Sequence, residues 1–145
     1  MKKQLDNLAL DFFKIFATYE FKLKEAGYFQ NNRGKIIVDW DRFVNERIGS
    51  DYIDKLGNHS SSATYILDNP PMKQGIDEFN KIVWQEVSNN EKSIQILFGH
   101  ISRIRNNLFH GAKFNGTWFD PERSHRLLSE ALVILQHFKP SINLS

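Results

Sequence analysis

Residues 91–111, EKSIQILFGHISRIRNNLFHG, decide the fold reading, because Ile94, Leu97, Ile101, Ile104 and Leu108 recur at three- and four-residue spacing. That stripe predicts an amphipathic helix of about five turns near 91–109, and Gly111 is placed to stop it. Toward the C-terminus, Asp120-Pro121 combines an N-cap with proline at the first helical position. Leu127, Leu128, Ala131, Leu132, Leu135 and Phe138 then give a helix over 121–138, which Pro140 ends. Toward the N-terminus, Leu5, Leu8, Phe12, Ile15, Phe16, Tyr19, Leu23 and Ala26 mark a third long helix near 5–26, closed by Gly27. Between the long helices, residues 28–35 read as a loop, and Asp39 or Asp41 caps a short helix carrying Trp40, Phe43, Val44 and Ile48. Ser50 caps another through Tyr52, Ile53 and Leu56. The serine run and proline pair of 58–71 predict a loop or short turns, and Ile76, Phe79, Val83 and Val87 predict a helix closed by Ser88-Asn89-Asn90. No period-2 strand stands out, so the expected fold class is all-α: one domain over 1–145, a helical bundle with three long helices and several short ones.

Composition narrows the chemistry. The 145 residues are 41% hydrophobic and 13% aromatic, enough for one core and too apolar for a disordered chain. The absence of cysteine excludes disulfides, Cys-ligated metals and thiol nucleophiles. The five histidines show no HExxH spacing, and neither a glycine-rich phosphate loop nor a Gly-x-Ser-x-Gly elbow is present. Neither a metal nor a cofactor is expected. No apolar run approaches a membrane span and Asp6 and Asp11 break the N-terminal segment, so a cytoplasmic protein with no membrane partner is expected.

The net charge of +2 is mild, but it is unevenly spread. Residues 92–119 hold no acid and carry Lys92, Arg103, Arg105 and Lys113, with His100 and His110. Residues 68–91 instead carry Asp68, Asp77, Glu78, Glu86 and Glu91 against Lys73 and Lys81. An anionic partner is expected to meet 92–119, although the same cations also fit an ordinary solvated face.

The segment densest in chemistry is Arg103-Ile104-Arg105-Asn106-Asn107-Leu108-Phe109-His110-Gly111. At 100° per residue, Arg105 lies about 60° off the centre of the apolar stripe and about 140° from His110. The two share one site only if the helix unwinds near Phe109 or if a second copy of the segment faces the first. Taken plainly, Asn-Asn…Gly is a helix C-terminus with His110 beside the negative dipole end.

Arg105-Asn106-Asn107-Leu108-Phe109-His110 resembles the Arg-x4–6-His motif of the HEPN superfamily, all-α domains of which many are metal-independent ribonucleases. The string RNNLFHGAKF is similar to the motif region of bacterial members found in toxin and defence contexts. Phe12-Phe13…Tyr19-Glu20-Phe21 with Asp39-Trp40-Asp41-Arg42-Phe43 resembles the opening of uncharacterised bacterial members. The resemblance implies a metal-independent endoribonuclease, a toxin or anti-phage protein, acting as a homodimer whose two motifs line a shared cleft. Arg105, Asn106 and His110 are then the catalytic set, and His100, Arg103, Asn107 and Lys113 are candidate RNA-backbone contacts. Histidine near pKa 6.5 suits proton transfer to and from the 2′-OH and the leaving 5′-oxygen, and the arginine fork suits the phosphorane charge. The partners implied are RNA, a second copy, and an antitoxin or operon partner. The alternative is a non-catalytic HEPN interaction or nucleotide-binding scaffold.

Overall fold

The apolar stripes assemble around one another, and of the segments between them 28–35, 58–71 and 76–87 take a different form from the one their residues suggest. A computed structural model describes residues 2–88, 91–109, 113–114, 117–118 and 120–143. Helix α1 runs Lys2–Glu25, with Leu5, Phe12, Phe16, Tyr19 and Leu23 buried along one face. Gly27, at φ +93°, lets the chain turn back so that the Tyr28 amide donates to the Leu23 carbonyl at 2.8 Å. Short helices α2 (Trp40–Arg47) and α3 (Tyr52–Leu56) follow, then α4 (Ser60–Asp68), α5 (Ile94–Phe109) and α6 (Pro121–His137). Asp39 caps α2 through its carboxylate, which accepts from the Arg42 amide at 3.1 Å.

The all-α expectation is overturned by three antiparallel two-stranded hairpins. Strands β1 (Phe29–Asn32) and β2 (Lys35–Val38) occupy the expected 28–35 loop, β3 (Lys73–Ile76) and β4 (Ile82–Gln85) replace the helix expected through Ile76–Val87, and β5 (Lys113–Phe114) pairs with β6 (Thr117–Trp118). The turn of β1–β2 is Arg33-Gly34 at φ +54° and +85°, the two positive values that a tight hairpin turn needs to match the strand twist. In β3–β4 the helix-like spacing of Ile76, Phe79 and Val83 is a coincidence that turn chemistry overrides. The Asp77 carboxylate accepts from the Phe79 and Lys81 amides, both at 2.9 Å, and Asn80 takes φ +61°.

Two further expectations change. Residues 60–68 form α4 rather than a loop, since Ala63, Ile66 and Leu67 present one apolar face and Ser62 is small enough to be buried beside them. Packing against α5 and α6 thus outweighs the weak helix preference of serine. The residue flanking α3 is Asp51, one after Ser50, and its side chain makes no capping bond.

The core lies where α1, α2, α5 and α6 meet. Phe98 of α5 sits 6.0 Å from Trp40 and 6.2 Å from Phe43, ring centre to ring centre, and 6.5 Å from Phe138. Tyr19 donates its hydroxyl to the Leu135 carbonyl, and burial pushes that phenol's pKa up. Among the described residues, no helix is long and apolar enough to cross a membrane.

Candidate functional site

Helix α5 is the platform for the candidate residues, and its start is fixed by Ser93. The Ser93 hydroxyl accepts from the Ile96 amide at 3.2 Å and its carbonyl from the Leu97 amide at 3.0 Å. Ile94, Leu97, Phe98, Ile101 and Ile104 are buried and Leu108 is partly buried, so the orientation of every other side chain on the helix follows.

Arg105 is half-buried on the border of that apolar stripe, and its Nη1 donates to the Asn106 Oδ1 at 3.3 Å. Asn106 is exposed. A guanidinium has five N–H donors in a fixed fork. His110 lies outside the described residues, as does Gly111, and β5 gives Lys113 a backbone position without a described side chain.

The other candidate contacts lie elsewhere. On an unbroken helix His100, Arg103 and Asn107 are each about 140–160° from Arg105, and α5 is unbroken from Ile94 to Phe109. His100 is 4% exposed, and its Nε2 has no hydrogen-bond partner among the described residues. Burial, reinforced by the positive charges of Arg103 and Lys92, lowers its pKa to about 4. At neutral pH His100 is therefore an uncharged core residue, and it is not available to a phosphate. Arg103 is half-buried, with a buried Nη1 that has no partner among the described residues.

Asn107 has a structural task. Its Nδ2 donates to the Met72 carbonyl at 2.8 Å. Arg123 of α6 donates from Nη2 to the Pro70 carbonyl at 2.5 Å, and Lys92 meets the Asp68 carboxylate at 2.6 Å. Together these three side chains pin residues 68–72 as a strap across α5 and α6. Under the strap lies a cleft of about 60 Å³, walled by Met72, Ile104, Leu108 and Leu127, with Trp84 of β4, Asn107, Asp120 and Arg123 at its lining.

Trp84 and Arg123 were not singled out by sequence, yet Arg123 leaves a signal. A cation in the first turn of a helix opposes the dipole, so its partner must be sought off the helix. That partner is Pro70. The Asp120 cap does follow the sequence expectation, with φ +48° and its carboxylate accepting from the Arg123 amide at 3.4 Å.

Among the described residues, no group of three or more His, Asp or Glu side chains is placed to hold a metal ion. His59 and His137 meet as a pair, with their Nδ1 atoms 3.1 Å apart. No family model, no curated protein and no solved structure matches the chain.

Proposed function

We propose that the protein is a metal-independent endoribonuclease that acts as a homodimer, with Arg105, Asn106 and His110 of both copies at a shared cleft. The observation that carries this reading is the Arg105–Asn106 contact at the C-terminal end of α5. The polar residue after the motif arginine holds the fork on the side of the helix away from His100 and the strap. In this reading the 2′-OH attacks the adjacent phosphorus, Arg105 neutralises charge on the phosphorane oxygens, and His110 passes a proton to or from the reacting oxygens. Asn107 acts by positioning, through the strap. A cytoplasmic toxin or defence role, with an antitoxin or operon partner, belongs to the same reading.

The test is cleavage of RNA in the presence of EDTA, leaving a 2′,3′-cyclic phosphate. His110→Ala is expected to lower the rate by about 10²–10⁴-fold, the usual worth of a general acid–base group. Cleavage abolished by chelation, or unchanged in His110→Ala, would overturn the mechanism. A non-catalytic scaffold is the second reading, favoured by the engagement of Asn107 and Arg123 in holding the strap. Arg105→Lys separates the two: it keeps the charge and loses the fork, so it disables the enzyme and leaves a scaffold that needs only positive charge intact.

A further inference from the structure

The β3–β4 hairpin carries its apolar side chains in water. Ile76 is 64% exposed, Phe79 73% and Ile82 69%. Ile76 and Ile82 are cross-strand partners, and the next pair on the same face is Gln74 with Trp84. Trp84 lines the cleft beside Ile104 and Leu108, so one apolar face runs outward from an anchored end to an overhanging one. Phe79 stands at the tip, in the turn held by the Asp77 carboxylate.

Such a hairpin is incomplete by itself. Two strands with an uncovered apolar face are marginal in water, and no further strand joins this sheet among the described residues. At these exposures three large side chains offer roughly 400 Å² of apolar surface, within the range of about 300–600 Å² for the largest patch on a typical monomer, a patch that is often functional. Two such patches supply about 800 Å², against the roughly 1,200 Å² at the lower end of specific dimers. The charged rim must supply the rest, and its arrangement suits a second copy. Lys73 stands at the base of β3 and Asp77 and Glu78 at its turn end, while Lys81 stands at the turn end of β4 and Glu86 just past its base. When two hairpins overlap about a two-fold axis, tip toward base, each strand meets its own copy reversed. Lys73 then approaches the partner copy's acidic turn, and Lys81 approaches the partner copy's Glu86.

We infer that the β3–β4 hairpin is a self-association arm, whose Ile76, Ile82 and Phe79 face packs on the same face of a second copy. This inference names the contact that brings two copies together, and it stands whether or not the dimer cleaves RNA.

The experiment is sedimentation velocity on the full chain from about 1 to 100 µM, spanning the affinity range of an interface this small. The wild type is expected to dimerise within that range. Ile82→Lys, which puts like charges on facing surfaces, and Phe79→Ser, which leaves the strand ladder untouched, are each expected to shift it to monomer. Their far-UV circular dichroism is expected to match the wild type. A wild type that is monomeric throughout, or a dimer that persists in both folded variants, would overturn the inference. A monomer that co-sediments with phosphatidylcholine vesicles would assign the patch to a lipid surface and overturn it equally. Arg105→Lys and His110→Ala leave the arm intact, so they report on the ribonuclease reading separately.

Discussion

The two sides of α5 use similar residue types for opposite ends. His100, Arg103 and Asn107 line the side that faces the strap and the core, where a charge is suppressed or a polar group is tied to a carbonyl. Arg105 and Asn106 occupy the other side, where the helix borders solvent. A basic or polar residue on one helix thus gains its role from its angular position. Changes on the inner side should register in stability, and changes on the outer side in chemistry.

The strongest test of the inner side is Phe98→Ala. It removes a ring within 6.5 Å of Trp40, Phe43 and Phe138, and should cost about 3–5 kcal/mol in denaturant unfolding. A loss under about 1 kcal/mol would mean the aromatic cluster is loosely packed.

His100 gives the pH dependence. Its folded pKa of about 4 lies below the unfolded value of 6.5, so between these values the unfolded chain binds more protons and stability falls as pH falls. That stability is fully present above pH 6.5, and about 3 kcal/mol of it is lost by pH 4. His100→Leu should flatten that part of the profile, and an unchanged difference between pH 7 and pH 4.5 would place His100 in solvent.

Asn107→Ala leaves the Met72 carbonyl without its donor and should cost about 1–2 kcal/mol in thermal or urea unfolding. Smallest in stability is Arg105→Lys, expected within about 0.5 kcal/mol of the wild type, while RNA cleavage falls sharply. If Arg105→Lys unfolded the protein as readily as Asn107→Ala, the contrast between the two sides would be lost.

The long helices were legible because their stripes run for several turns and their ends carry punctuation, Gly27 for α1 and Asp120-Pro121 for α6. The hairpins were not, since each strand is only two to four residues long and leaves little alternation to read. The signals present lay in the turns: Arg33-Gly34, and the Asp77 carboxylate with Asn80. Helix α4 was hidden because serine weakens a helix in isolation and only the packing of Ala63, Ile66 and Leu67 restores it. The candidate site was half legible. Helical-wheel geometry placed Arg105 on the stripe border, about 60° off its centre, and it puts His100 about 80° off on the opposite border; that His100 is buried and Arg105 only half-buried follows from what packs on each flank. What the wheel cannot supply is the Met72 carbonyl, 35 residues away in the chain, that claims Asn107.

The strap over α5 and α6 also bears on the order in which the molecule assembles. Its pins join residues 24, 35 and 53 positions apart, from Lys92, Asn107 and Arg123 in turn. The closure entropy for such spans grows with the logarithm of length, about 0.6 kcal/mol per doubling; the Asn107 pin needs α5 packed beside the strap, and the Arg123 pin needs α6 there as well. Contacts that wait on packed helices are expected to form late, on the native side of the folding barrier. Weakening one should leave the refolding rate nearly untouched and quicken unfolding, so the strap governs how long the folded chain lasts more than how fast it forms.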